Sequence, residues 1–561
     1  MSARKKSNNF IVQGGILAAA TIMVRIIGLI YRIPMKRIIG SEGMGYYSCA
    51  YYIYNIALIL SSYSLPLAVS KLVAARSVKY EHRNAYRIFL CAMIYAILIG
   101  FLASLAVFLG ADFLAGVFKY EANVALPLKI LSPTIFVFSV MGVLRGFYQG
   151  KNTMIPTAVS QVIEQIANAV VSVGAAYILM QNYSMMDNVA AYGAAGGTLG
   201  SFVGGFFGLL FLLFVFLLYK PILNKQLRYD DTEYREGYRK ITKLLFLTIL
   251  PVILSQTVYQ ISGLIDLFLF GNIMETKEVG FFDRAALRNY VQGMHYTEKI
   301  RATLTGIYSG EYILLTNVPV AIASSIGAAI VTSISAAKAK GLVDLIKRKM
   351  DVAIKINMII AIPSAVGMGI LALPILQLLF PDPVSNPLSA NLIRLGAVSI
   401  IFFSLSTVTS AILQGINKMR LPVINSAISL GIHILLLYLL LEFTPLSTYA
   451  LVIGNVTFAL LVSILNWNSL QKHFGYRQEV LKTFLIPMVS SGLMGVATYF
   501  SYEYLLSFSH SNKIALIASI FIAIAVYFIL LIFLHGLEEE ELEYLPKGET
   551  MIRILKKLHL L

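Results

Sequence analysis

Apolar residues run along this chain in blocks of about twenty, each closed by charged residues, proline or glycine. Such a block is long enough to cross a bilayer core of ~30 Å as one helix. A hydropathy window of that width predicts about fourteen spans. They lie near residues 10–35, 46–74, 88–111, 125–148, 154–180, 190–219, 243–271, 306–336, 350–374, 391–414, 421–442, 447–469, 483–506 and 514–535. The pattern predicts an all-α polytopic membrane protein.

Composition points the same way. Of 561 residues, 58% are hydrophobic and 13% charged, and the mean hydropathy is +0.76. A soluble chain carries about a quarter charged residues. The net charge of +17 reads as a topology signal rather than a nucleic-acid footprint, because cytoplasmic loops of membrane proteins collect Lys and Arg. Cys49 and Cys91 both fall in apolar segments, which gives no disulfide framework and no metal-ligand spacing. Arg4-Lys5-Lys6 with Ala18-Ala19-Ala20 resembles a cleavable signal. The apolar run continues to Pro34, however, so an uncleaved first span is expected.

Loop charge sets the expected orientation. The second, sixth, eighth and twelfth loops carry Arg76, Lys79, Arg83 and Arg87, Lys220 through Lys243, Lys338 through Lys349, and Lys472, Arg477 and Lys482. The third, fifth, ninth and eleventh carry only Lys119. Both termini are therefore expected in the cytoplasm. Loop 272–305 has mixed charge, and a long loop crosses regardless of charge.

The chain also repeats itself. Gln149–Pro156 reads QGKNTMIP and Gln414–Pro422 reads QGINKMRLP, each at a basic-side join between two spans. A second echo, GYYSCAY at Gly45–Tyr51 against GIYSGEY at Gly306–Tyr312, has nearly the same offset. Two six-span halves in parallel orientation, plus two extra spans, account for both. The expected divisions are an N-lobe at 1–223, a connector at 224–242, a C-lobe at 243–471, two further helices at 480–536 and a cytoplasmic tail at 537–561. Carriers built from such halves hold substrate between them and alternate access by rocking.

Charges inside spans carry the candidate chemistry. Arg25 and Arg32 are two helical turns apart, about 10 Å along one face, with Gly28 between them. Lys36 returns to that face. An Arg at the bilayer centre costs roughly 2.5–3.5 kcal/mol on insertion scales, so it needs a cavity or a partner. Two guanidiniums on one stripe suit an anion with several oxygens, such as a diphosphate. For Arg32 and Lys36, snorkelling to headgroups is the competing explanation. Polar stripes recur at Gln161, Glu164, Asn168 and Ser172, at Ser255, Tyr259, Ser262 and Asp266, and at Ser426, Ser429 and His433. Ser, Gln and Asn of such stripes commonly join helices. The carboxylates Glu164 and Asp266 are expected to line a cavity or couple an ion, and His433 to pack. Arg301 and Glu311 either complete a cationic site or pair with each other. Arg145 and Lys71 sit where topology alone explains them.

No H-E-x-x-H, phosphate-binding glycine loop or nucleophile elbow occurs, so no enzyme, cofactor or metal is expected. Asp230 and Asp231 sit in a charge-rich connector and are expected to be solvated. The tail has an acidic run and a basic amphipathic segment at 551–561. That segment either lies on an anionic leaflet or frays.

The opening, RIIGLIYRIPMKRIIGSEGMGYYSCAYYIYNIALILSSYSLPLAVSKLVAAR, resembles the stage V sporulation protein B-like polysaccharide biosynthesis proteins. These belong to the multidrug/oligosaccharidyl-lipid/polysaccharide exporter superfamily, which includes lipid II flippases. The similarity covers nearly the whole chain. It implies two six-helix lobes around a cationic cavity in a bacterial plasma membrane, and flipping of an undecaprenyl-diphosphate-linked oligosaccharide to the outer leaflet. The peptidoglycan precursor lipid II is the expected cargo, with Arg25 and Arg32 in the cavity. Residues 483–535 are expected to form a groove for the isoprenoid chain, and cell-wall synthesis proteins are the implied partners. The flippases carry an acid early in the second span. Here Gly45-Tyr46-Tyr47-Ser48 has none, so that role is not transferred. A multidrug or cation antiporter of the same superfamily is the alternative. A membrane enzyme acting on polyprenyl diphosphates would need catalytic acids that the chain does not show.

Overall fold

The computed structural model describes residues 2–232, 234–280, 283–284, 295–339, 341–383 and 385–536. Tail 537–561 and the side chains of Arg4, Lys5, Lys6, Ser255 and Tyr259 lie outside that description. The described residues are helical nearly throughout, and the only β pairing among them is one isolated bridge between Glu278 and His295.

In chain order the helices are α1 (Ser2–Leu58), α2 (Leu65–Ser77), α3 (His82–Leu109), α4 (Ala111–Val117), α5 (Glu121–Gly150), α6 (Ile155–Asn182), α7 (Val189–Arg228) and α8 (Tyr238–Glu275). Next come α9 (Glu298–Ile307), α10 (Leu314–Ala339), α11 (Val343–Ile370), α12 (Ala372–Leu379), α13 (Asn386–Gly396) and α14 (Ser399–Gly415). The last are α15 (Arg420–Phe443), α16 (Thr448–Phe474), α17 (Ile486–Ser509) and α18 (Asn512–Phe533). Among the described residues ten helices are long and apolar enough to cross a membrane, or eleven with the bent pair α13–α14 counted as one span. Ala19–Ser77 counts once there but breaks at Gly40 (φ 68°, ψ −176°), and α8 and α10 add further long helices. The architecture is consistent with fourteen spans. The predicted span 391–414 is in fact two helices bent by 49°. The helix of predicted span 190–219 continues to Arg228, because a helix need not end where the hydrocarbon does.

The repeated QG-x-N stretches are helix ends. Asn152 (φ 59°) and Asn417 (φ 63°) are left-handed residues just past α5 and α14. At the first, Asn152 N–H donates to Gln149 O and Thr153 N–H to Tyr148 O, both at 3.0 Å. At the second, Asn417 N–H donates to Gln414 O and Lys418 N–H to Leu413 O, both at 2.9 Å. This pair of bonds is the Schellman closure, which satisfies helix-terminal carbonyls and needs a residue at positive φ. Asparagine tolerates that region better than other residues with a β-carbon.

The chain packs as two compact units, Met1–Glu278 with His295–Gly306, and Val279–Met294 with Ile307–Leu561. Helix α8, placed with the C-lobe by the sequence repeat, packs in the first unit. Its Ile241, Leu245 and Ile249 share a buried cluster with Leu72, Ile88 and Phe147. A repeat boundary follows matching sequence, whereas a packing boundary follows which side chains share a core. In the first unit α6 lies along α7 through a small-residue stripe, Gly196, Gly200, Gly204 and Gly208. A Cβ on Gly200 would meet Asn168 O at 2.5 Å, and one on Gly204 would meet Glu164 O at 2.5 Å. Small residues at four-residue spacing let backbones approach where lipid offers no hydrophobic drive. In the second unit α17 and α18 dock on α11, with Met494, Tyr527 and Leu531 packed against Ile359 and Tyr527 Oη donating to Ile359 O at 2.8 Å.

Candidate functional site

Helix α1 is continuous from Arg25 to Lys36, so the predicted spacing holds, but the three cations have different surroundings. Arg25 is exposed, Arg32 half-buried and Lys36 buried. Gly28, between the arginines, faces α6, where an added Cβ would lie 3.2 Å from Gln165 Nε2. The Arg32 guanidinium lies among the phenol groups of Tyr31, Tyr47 and Tyr51. Its Nε is buried with no hydrogen-bond partner. These tyrosines form one cluster. The Tyr31 and Tyr47 hydroxyls are 3.3 Å apart, the Tyr47 and Tyr51 rings lie 4.4 Å centroid to centroid, and Tyr51 is hydrogen-bonded to Ser201 of α7. The sequence signal for this nest is the YYSCAYY run.

Asp266 of α8 is buried. It and Arg32 both act electrostatically on the same phenol, Tyr52 of α1. Tyr52 packs on Gly263, where a Cβ would come within 2.3 Å of its ring. The structure thus groups Arg32 and Asp266 around Tyr52, a relationship that spacing along single helices does not reveal.

The α6 stripe divides in two. Glu164 accepts a hydrogen bond from Arg145 Nη2 of α5 at 2.7 Å, and Arg145 Nε donates to Ser160 Oγ at 3.0 Å. Arg145 is therefore the ionic partner of Glu164, not merely a topology marker. Asn168 Oδ1 accepts from Ser172 Oγ at 2.9 Å, which also donates to Gly197 O at 2.7 Å. That end of the stripe joins α6 to α7. Gln161 keeps a buried Oε1 without a partner.

Arg301 and Glu311 have separate partners. Buried Arg301 donates to the carbonyls of Tyr296 and Lys119, both at 2.8 Å, which ties two loop segments of the first unit together. Glu311, fully buried in the second unit, accepts from Ser385 Oγ at 3.5 Å and from Ser389 Oγ. His433 packs as expected, its Nδ1 3.0 Å from Gly454 O and its ring against Phe458. A further cation, Lys355, is buried in α11. A lysine a dozen positions into an apolar helix was the available signal.

At the basic end, Asp230 is buried rather than solvated. Arg83 N–H donates to its Oδ2 at 2.5 Å, and Thr232 N–H to its Oδ1 at 2.9 Å. Burial pushes this carboxyl up, yet the hydrogen bonds from Thr232 and Arg83 outweigh it and hold the group below the usual carboxylate range. Arg76 binds Glu236 with Nη2 at 2.9 and 3.2 Å from the two carboxylate oxygens. The connector is thereby pinned to the second loop. Among the described residues no three His, Cys, Asp or Glu side chains gather in a metal-binding group.

Comparison with known proteins gives concordant matches. A family model described as polysaccharide biosynthesis protein matches residues 12–338, and one described as lipid II flippase MurJ matches residues 303–519. The chain is 24% identical to stage V sporulation protein B of Bacillus subtilis (strain 168) over 540 residues, covering 96% of this chain and 98% of the relative. It is 24% identical to lipid II flippase MurJ of the same organism over 495 residues, 86% of each. Among solved structures, lipid II flippase MurJ in an inward closed conformation superposes with TM-score 0.64 at 16% identity, covering 92% of this chain and 98% of that one. An inward-facing multidrug resistance MATE family transporter superposes with TM-score 0.63 at 16% identity, covering 81% and 94%. These structural likenesses establish the fold.

Proposed function

The chain belongs to the polysaccharide biosynthesis protein family, and from that premise we propose that it flips an undecaprenyl-diphosphate-linked oligosaccharide, with lipid II as the cargo, from the inner to the outer leaflet of a bacterial plasma membrane. The observation that carries this reading is Arg32, a guanidinium held inside a span among Tyr31, Tyr47 and Tyr51, with a buried Nε left unpartnered.

A diphosphate bearing a glycan cannot enter hydrocarbon without a compensating charge. Arginine stays charged and presents a planar fork that matches phosphate oxygens. In this reading Arg32 contacts the diphosphate, Arg25 and Lys36 extend the cationic stripe, and the tyrosine hydroxyls hold the fork in place. Asp266, through Tyr52, biases Arg32 and is the candidate for ion coupling. Glu164 with Arg145 stabilises the wall behind them, with Gln161 and Asn168 on the same helix. Arg301 ties the Tyr296 and Lys119 segments together, and Glu311 is held by Ser385 and Ser389. Helices α17 and α18 accommodate the isoprenoid tail. Alternating access of the two halves moves the head group while the tail stays in lipid. The relatives' names support lipid II, and the sporulation relative supports a spore-cortex precursor as the nearest competing cargo.

The fold is shared with a multidrug transporter, so an antiporter is the second reading. A cationic drug would be repelled by the α1 stripe.

The test is flipping of labelled undecaprenyl-diphosphate sugars in proteoliposomes. Wild type is expected to flip lipid II, Arg32→Ala to lose flipping while remaining folded, and Arg32→Lys to retain a fraction. Inactive wild type that exports organic cations would refute the proposal.

A further inference from the structure

At the basic end of the first unit, the turn between α2 and α3, the end of α7 and the start of the connector enclose an open groove of about 610 Å³. It lies apart from the α1 stripe. Its lining includes Lys79, His82, Lys225 and Gln226, together with Asp230 and Asp231.

The charges in this groove are not balanced internally. Among the described residues the ammonium groups of Lys79 and Lys225 have no hydrogen-bond or ion-pair partner, although two carboxylates share the groove. Asp230 is already engaged by Arg83 N–H and Thr232. A third ammonium approaches from behind: Lys151 Nζ lies 3.2 Å from His82 Nδ1 and donates to Gln226 Oε1 at 3.4 Å. Burial, and after it the Lys151 ammonium, holds His82 below the ordinary imidazole range, and burial lowers Lys151 too. An anion in the groove would relieve both shifts, because an opposite charge favours the protonated forms.

Depth narrows the choice of anion. Helix α7 has 40 residues and is about 60 Å long, roughly twice a hydrocarbon core. Exposed Leu217 and Leu218 precede Lys220, and the groove begins at Ile222. Exposed tyrosines, Tyr80 and Tyr229, stand on its lining, as aromatic side chains do at headgroup level. The groove therefore sits just outside the hydrocarbon, where lipid phosphates lie.

We infer that this groove is a phosphate-binding site, with Lys79 and Lys225 as its cationic contacts, and that its depth suits the headgroup of an anionic phospholipid. A free diphosphate offers the same chemistry without acyl chains.

The test uses the full chain in neutral detergent, followed by native mass spectrometry with phosphatidylglycerol, phosphatidylcholine and, separately, inorganic pyrophosphate. Wild type is expected to retain phosphatidylglycerol over phosphatidylcholine. Lys79→Ala/Lys225→Ala is expected to weaken that retention by roughly 25-fold, about fivefold for each lysine removed from an anionic surface. The Arg/Arg pair should preserve it. Both groove lysines are exposed, and an unchanged apparent melting temperature confirms folding. Pyrophosphate retained in place of phosphatidylglycerol, and lost in the double variant, would keep the phosphate site and assign it a soluble ligand. Equal retention of both lipids without pyrophosphate binding, or a double variant indistinguishable from wild type, overturns the site.

Discussion

Gly45 and Gly306, the matching glycines of the two sequence echoes, pack backbone against backbone. A Cβ on Gly306 would lie 2.8 Å from Gly45 N and 1.8 Å from Ser41 O, and one on Gly45 would lie 1.9 Å from Ala302 O. Neither site has flexible side-chain atoms to yield. Alanine at Gly306 must push α1 and α9 apart, and overpacking of this kind costs about 1–3 kcal/mol. Gly306→Ala is expected to lower the apparent melting temperature in detergent, and an unchanged value would show that the contact opens at no cost.

The Arg145–Glu164 pair is half-buried, with side chains 11% and 19% exposed. Removing one partner strands the other. Glu164→Gln or Arg145→Met alone is expected to destabilise by about 1–3 kcal/mol, less than for a fully buried pair because solvent screens part of the charge. Arg145→Met/Glu164→Leu should recover most of that loss. A double-mutant cycle with no coupling energy would show that the pair is incidental.

The left-handed asparagines predict a simple pattern at both joins. Asn152→Ala and Asn417→Ala should each destabilise by about 1 kcal/mol, since a β-carbon at positive φ is strained. Asn→Gly at either site should be close to neutral. Thermal unfolding of the four single variants distinguishes this from a motif kept for substrate contact, in which glycine would be no better than alanine.

His82 gives a pH dependence of known sign. Burial and Lys151 depress its folded pKa below the ordinary 6.5, so the unfolded chain takes up the proton first. The stability that neutral His82 contributes is full above that ordinary value and falls as pH drops toward the depressed one. Between about pH 7.5 and 5.5 wild type should lose stability faster than His82→Asn, the imidazole being the group that titrates there. Parallel curves would rule out this role for His82.

Hydropathy along the chain was enough to determine the class, the approximate span positions and the location of both joins, because one helix crossing a bilayer is a local property of about twenty residues. The arginines of α1 were legible for the same reason, since an intramembrane charge stands out against an apolar run. Which groups meet was not legible. Arg145 and Glu164 lie on different helices, Asp230 is buried only because the connector folds back on the second loop, and Tyr52 relates Arg32 to Asp266 only after α8 packs in the first unit. Each of these depends on the rotation and approach of helices distant in sequence. That geometry is set by contacts such as the α6–α7 glycine stripe and the Gly45–Gly306 apposition, which only the folded chain brings into being.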